Sequence, residues 1–465
     1  MNMVDLIVVG AGPAGMAAAA AGAEAGLSVI LLDEQAQAGG QIYRAVTGSG
    51  AARGAVLGKD YLAGARLVQA IGASGVRHLA GAVVWQIEPS PDGHLVTYSQ
   101  EGQATQIRGA RLILATGALE RPVPIPGWTL PGVMTAGAGQ ILLKASGLVA
   151  RRAVLAGSGP LLYLLAVQMV RAGVPPLAVV KTHGPRDMIR ALPHLARGLR
   201  GGRVLAKGLG LLVELRRAGV RQITGAQDLR VMGEGQATAL AFTANGRAQQ
   251  IACDTVLLHQ GVVPNAQISR ALRMDHDWLE GQQAFAPRCD RWGETSQPGI
   301  FIAGDGTGIA GAIAAEQAGQ LAALQAAHQL GRIDRAIRDA KARNPMARLA
   351  AERAPRPFLE AAYPPSPQLR MPADDTIICR CEEVTAGQLR GWARAGGTGV
   401  NQIQAFGRVG MGPCQGRYCG LSVTAILAQE HGMPPQEPGS FRTRPPYKPG
   451  TLGEMASLHR ARDRE

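Results

Sequence analysis

Phe, Trp and Tyr together make up only 4% of the 465 residues. That leaves few platforms on which nucleobases stack, and no dense Lys/Arg block accompanies the net charge of +14. A nucleic-acid role is therefore disfavoured. Scattered arginines account for the basic balance, and attraction of anionic substrates or an acidic partner stays open. No apolar run reaches the ~18 residues of a membrane-spanning helix. The opening MNMVDLIVVGAG shows no basic leader and no cleavage site. The expected location is the cytoplasm, where thiols stay reduced. Cysteine is scarce too, with six in all, and neither C-x2-C nor C-x4-C occurs before residue 379. A disulfide reductase with its redox dithiol is disfavoured on that ground.

Four of the six cysteines lie near the C-terminus, as Cys379-x-Cys381 and, after 32 residues, Cys414-x4-Cys419. Thiolates are soft ligands, and four of them hold an iron–sulfur cluster. Structural zinc is the alternative, although its cysteine pairs are usually spaced by two to four residues on both sides. Gly410, Gly412, Gly416 and Gly420 surround the second pair. Glycines there would let backbone N–H groups approach the sulfurs. Cys253 and Cys289 stand alone and read as small buried side chains.

The N-terminus carries a nucleotide fingerprint. The apolar strand VDLIVV leads into Gly10-Ala11-Gly12-Pro13-Ala14-Gly15, an alanine-rich helix, and a second strand ending at Asp33-Glu34. Glycines permit the tight turn and bring a pyrophosphate onto the helix N-terminus, and Asp33 or Glu34 would accept the ribose hydroxyls. Two further segments point to a flavin: LILATG, ending at Thr116-Gly117, and IFIAGDGTG, with Gly304-Asp305. The three together resemble the two-dinucleotide-domain flavoproteins of the glutathione-reductase type. That resemblance implies that Gly304 and Asp305 lie beside the flavin ribityl chain. Gly39-Gly40-Gln41 is expected to approach the isoalloxazine, with Gly40 and Gln41 as contacts.

A second fingerprint, AVLAGSGPLLY, offers Gly157 and Gly159 but has Leu162 at the third glycine position. Leucine there is expected to spoil close helix–strand packing. The next strand ends in Lys181, where an NAD site would supply an acid. This half is expected to keep the fold without ordinary NAD binding, with room for another adenine nucleotide.

The predicted architecture is α/β, a two-dinucleotide-binding-domain flavoprotein with a small C-terminal α-helical iron–sulfur domain. The FAD-binding domain would comprise residues 1–127 and 286–340, and the degenerate nucleotide domain 128–285. A linker at 341–373, helical and then extended, would lead to the cluster domain at 374–431, with Thr385 capping its first helix, and to an extended tail at 432–465. Residues 44–56 read as a mobile Gly/Ala-rich loop. That loop and the tail at 441–452 are candidates for a partner interface.

Over its full length the chain resembles the alpha (A) subunits of flavin-dependent opine and amino-acid dehydrogenases. The motifs that carry the resemblance are GAGPAGMAAA, LLDEQAQAGGQIYR, LILATGALERPVPIPGWTLPGVMTAGAGQ, CRCEEVT, GMGPCQGRYCG and RPPYKPGTL. The cysteine module also resembles a bacterioferritin-associated ferredoxin, although it has C-x4-C in place of C-x2-C. The resemblance implies FAD and a [2Fe-2S] cluster on Cys379, Cys381, Cys414 and Cys419. It implies oxidation of an N-alkylated or secondary amino acid in a separate FAD-dependent beta subunit of D-amino-acid-oxidase type. It leaves room for an interface FMN, a downstream electron acceptor and a small third subunit. No His/carboxylate constellation marks an amine-oxidising base, so no catalytic residue is assigned. A stand-alone NAD(P)H-dependent reductase of a ferredoxin-like acceptor is the competing expectation.

Overall fold

In the computed structural model, which describes residues 3–462, two sheets carry the nucleotide-type turns, the first mixed, with Gly93–Gln100 and Val83–Ser90 antiparallel at one edge, the second parallel. The first runs in the order Arg77–Ala80, Val29–Asp33, Val4–Val9, Gln103–Leu114, Gly93–Gln100, Val83–Ser90, with Ile300–Ile302 parallel to Gln103–Leu114. Its central strands are covered on both faces, so they read as unbroken apolar runs such as LIVV and LIL. Val8 pairs with both Leu31 and Ile113. This register brings the ends of three strands together at the Gly10 turn.

The alanine-rich composition serves close packing. Helix Pro13–Glu24 lies against helix Ala312–Gln329, and a Cβ on Gly319 would fall 2.1 Å from the Ala14 carbonyl oxygen. Only small residues allow backbones that near, so both helices are rich in alanine.

The second sheet runs Gln222–Thr224, Ala178–Lys181, Ala153–Ser158, Thr255–Gln260, Val133–Thr135, and a three-stranded antiparallel sheet packs on it. Leu162 does not spoil the packing of helix Pro160–Arg171. It is fully buried among Leu155, Leu165 and Leu257 and fills the space a glycine would have closed.

The cysteine module contains the short strands Ile377–Cys379 and Val384–Thr385 and helices Ala386–Arg394, Val400–Gly407 and Gly420–His431. Thr385 caps the first helix through a capping box with Gln388. The module has its own core, including Ile378, Leu389, Ile403, Val423 and Ile426.

Three expectations change. Residues 44–56 form a 3-10 turn and helix Gly50–Leu57 in place of a mobile loop. Val46, Gly54 and Leu57 are buried, and Arg53 Nη1 donates to the Lys144 carbonyl at 3.1 Å, so tertiary burial overrides the glycine-rich composition. The linker is helical and then extended as expected, but its start shifts. Helix Arg335–Arg353 crosses the predicted boundary at 340, and helix Arg356–Ala362 follows. The tail straps the molecule's own surface. Tyr447 is buried against the first sheet, donating its N–H to the Trp85 carbonyl at 2.8 Å, and helix Leu452–Arg462 follows. No helix among the described residues is long and apolar enough to cross a membrane.

Candidate functional site

The first turn leaves open space at one glycine in particular. Gly10 has φ +102°, and a Cβ on Gly15 would fall 1.7 Å from the Gly10 carbonyl oxygen, so both glycines are required by the fold. Gly12 is different. Its φ is −76°, and the nearest atom to an added Cβ is Gly40 Cα at 4.0 Å. The space over the N-terminus of helix Pro13–Glu24 is therefore free of protein. Gly40, at φ +58°, lies directly against Gly12, which stacks the Gly39-Gly40-Gln41 turn on the first. Pro13 and Ala14 open the helix and are buried.

Asp33 and Glu34 have separate roles. Asp33 ends its strand and is buried, with Oδ2 accepting from Ala11 N–H at 2.6 Å and Oδ1 from Gln35 N–H at 2.8 Å. Burial pushes its carboxyl above the ordinary range. Glu34 points outward and pairs with Lys448 of the tail at 2.7 Å. Thr116 and Gly117 follow the long strand, with Gly117 at φ +66° and nothing within 4 Å of an added Cβ. Gly304, at φ +82°, approaches Ala14. Asp305 Oδ1 accepts from Ala310 and Gly311 N–H groups at 2.9 and 3.0 Å, which steadies the loop entering helix Ala312–Gln329.

Sequence reading missed Lys144. It is buried on helix Ala136–Ser146 and donates to the Gln41 carbonyl at 3.0 Å and to Gln140 Oε1 at 2.9 Å. Burial, helped by the Arg44 charge, pushes its ammonium down to about 7. Burying a lysine ammonium beside the Gly-Gly-Gln turn is costly even with these two hydrogen bonds, and no local pattern announces it.

The second turn is closed from within. Gly159 stands where Gly12 stands in the first. Its added Cβ would fall 2.9 Å from His259 Nε2, and that of Gly157 1.6 Å from the His259 carbonyl oxygen. Both glycines are explained by the strand beside them. The His259 ring is fixed by Glu120, with Nδ1 to Oε1 at 2.5 Å. Past the strand ends, Tyr163 bonds His183 at 2.9 Å and Tyr363 packs edge-on to His183 at 4.8 Å. Ser366 N–H donates to Gln260 Oε1 at 2.9 Å. The linker thus lies over the edge where a nucleotide would enter. Lys181 ends its strand, half-buried, with Gln222 as a neighbour.

The four C-terminal thiols stand as two pairs. Cys381 Sγ and Cys414 Sγ are 3.8 Å apart. Cys379 and Cys419 form the other pair and are buried. Hydrogen bonding from Cys419, followed by backbone N–H groups of Gly410, Glu382 and Cys381, brings the Cys379 thiol down to about 5. Among the described residues, no three His, Cys, Asp or Glu side chains are grouped to hold a single ion. Two and two is the ligand division of a [2Fe-2S] cluster, and backbone N–H groups aimed at sulfur are what such a group needs. The glycines serve more than the sulfurs. Gly410 and Gly416 make room for the Phe441 ring, and Gly412 lies on Cys381. Cys253 is buried and apart from the pairs; Cys289 is half-buried and burial pushes it up to about 12.

Residues 4–331 match the model of the pyridine nucleotide-disulphide oxidoreductase family. The chain belongs to that family. It is an FAD-dependent oxidoreductase chain, and residues 374–459 match the sarcosine oxidase A3 domain, which takes in the tail as well as the cysteine helices. The chain is 42% identical to the A-type subunit of opine oxidase from Agrobacterium tumefaciens (strain Ach5), over 99% of this chain and 93% of that protein. It is 31% identical to hydrogen cyanide synthase subunit HcnB of Pseudomonas aeruginosa, over 89% and 90%. The fold is similar to that of L-proline dehydrogenase from P. horikoshii, with TM-score 0.70 at 18% identity over 98% of this chain and 79% of that one.

Proposed function

We propose that this oxidoreductase is the electron-carrying subunit of a heteromeric enzyme that oxidises an N-alkylated or secondary amino acid. The substrate class comprises opines, D-hydroxyproline and glycine-like amines, and a beta subunit of D-amino-acid-oxidase type removes the hydride. The observation that carries the reading is the pair of thiol pairs in a chain similar to an opine oxidase subunit throughout its length.

FAD, when bound, exchanges electrons in twos and a [2Fe-2S] cluster in ones. The residues do the holding. The Gly12 cradle and the first N–H groups of helix Pro13–Glu24 take the diphosphate. Asp33, inside the cradle, is the ribose acceptor we favour over Glu34. Gln41, Thr116, Gly117, Gly304 and Asp305 line the flavin end. Cys379 with Cys419 and Cys381 with Cys414 each supply two thiolates. His259 in the second turn favours this reading over a stand-alone NAD(P)H reductase, because the imidazole stands where a pyrophosphate would approach. An interface FMN and a third subunit remain within the proposal, without assigned residues.

The test is co-expression with the beta subunit. The complex should couple oxidation of an opine, hydroxyproline, glycine or sarcosine to dye reduction, and the isolated chain should not. Turnover of one of these amines by the isolated chain at the rate of the complex would refute the division of labour.

A further inference from the structure

Gln267 links the loop that follows the flavin strand to the cysteine module. Gln267 is buried, at the start of the short helix Gln267–Ala271. Its Nε2 donates to the carbonyl of Cys414 at 3.3 Å. Its Oε1 accepts from Arg417 Nε at 2.7 Å and from Arg417 Nη2. Its own carbonyl accepts from Thr443 Oγ1 at 3.0 Å. Two residues earlier, Asn265 N–H donates to the Gly117 carbonyl at 3.0 Å, and Asn265 Nδ2 reaches the Thr116 carbonyl at 3.4 Å.

These contacts form a continuous bonded path. It runs from Thr116-Gly117 across the Asn265 N–H hydrogen bond, through the backbone of Asn265, Ala266 and Gln267, and across the Gln267 amide hydrogen bond to the cluster ligand Cys414. The orientation of the amide is decided by chemistry, since arginine only donates. Gln267 oxygen must therefore face Arg417, which leaves the NH2 group for Cys414. Donation from a guanidinium to the amide oxygen also strengthens the amide as a donor, so Arg417 and Gln267 act on Cys414 as one unit. Arg417 is itself anchored on the tail, through the Tyr447 carbonyl at 3.3 Å, and its backbone N–H bonds the Cys414 carbonyl at 3.1 Å.

We propose that Gln267, held by Arg417, is the positioning residue that fixes the Cys414 loop on the flavin strand end and sets the route for single electrons between the two redox sites. The proposal rests on the FAD and cluster reading above. Each passage removes one electron from reduced flavin and adds one to the oxidised cluster. The second electron follows once a one-electron acceptor has reoxidised the cluster. Outer partners of metal ligands typically change affinity or activity 10–100-fold when removed.

The test uses the full chain with Gln267→Leu and Gln267→Glu, the latter keeping the size and the Arg417 contact while losing the donor. Iron, acid-labile sulfide and FAD per chain are measured first. Flavin is then photoreduced anaerobically, and cluster reduction is followed by absorbance and by its paramagnetic resonance signal. Both variants should retain wild-type cofactor content and slow flavin-to-cluster transfer at least about tenfold. The glutamate variant should also lower the cluster potential through its added charge. Wild-type transfer rates in fully loaded variants would overturn the proposal. Loss of the cluster from both variants would reduce Gln267 to a scaffold and also overturn it. Wild-type protein that holds FAD without iron and sulfide would remove the cluster reading itself.

Discussion

Gly12→Val distinguishes a glycine kept for a ligand from glycines kept for the fold. At φ −76° and ψ −174°, valine adopts the Gly12 backbone without strain. A built Cβ meets nothing closer than 4.0 Å, so the methyl groups enter the open space above the helix N-terminus. Gly12 is the N-cap of helix Pro13–Glu24, and its loss there should cost ~1 kcal/mol or less, a fall in Tm of roughly 2–4 °C. The effect on FAD is far larger. Holding the diphosphate away from the turn forfeits about two hydrogen bonds to a charged group, at ~1.5–3 kcal/mol each. The resulting ~3–6 kcal/mol corresponds to roughly a hundredfold to ten-thousandfold loss of affinity. The assay is released FAD per chain beside a thermal melt of the apoprotein. Gly15→Ala is the contrast, since its Cβ would collide with the Gly10 carbonyl and the variant should fail to fold. Gly12→Val with wild-type FAD content, or one that loses FAD only by unfolding, would refute the reasoning.

Cys381→Ser should remove iron and sulfide, by elemental and sulfide assay, and leave FAD in place, because the cysteine module packs on its own core. Neither NADH nor NADPH should bleach the flavin at a useful rate in anaerobic stopped-flow mixing, given His259 at the Gly159 turn; rapid bleaching would restore the reductase reading. Lys144 is held down to about 7 chiefly by burial, so between about pH 7 and its ordinary 10.5 the unfolded chain carries a proton that the folded one does not. Stability from this group should rise with pH across that window, and Lys144→Met should flatten the rise in denaturant melts. Tyr447→Ala should destabilise the first domain by ~3–5 kcal/mol, as for other large buried rings, read as a shift in denaturant midpoint. An unchanged midpoint would mean that the tail is not strapped down.

Much of this was legible because it is local. The Gly10 turn, the two strands around it and the Asp33 position follow from spacing alone, and the Thr385 capping box from a Thr-x-x-Gln pattern. The cysteine spacing pointed to four thiols in one module. What stayed hidden depends on distant partners. Gly12 and Gly159 look alike in sequence, and only the strand ending at Gln260 reveals that an imidazole lies against the second. Lys144 sits at an ordinary helix position and becomes unusual only because the fold buries it beside Gln41. The tail read as an extended strap, and the 360 residues separating Tyr447 from Ile87, to which its hydroxyl donates, hid which surface it covers. Residues 44–56 read as a loop because a Gly/Ala-rich composition does not show the burial of Val46 and Gly54.

The most direct test of the account is the cofactor content of anaerobically purified wild-type chain, by absorbance, iron, zinc and acid-labile sulfide. The account predicts FAD bound in the first domain together with two irons and two sulfides per chain. Zinc without sulfide on the four thiols, or a chain that purifies folded and takes up no FAD, would contradict it.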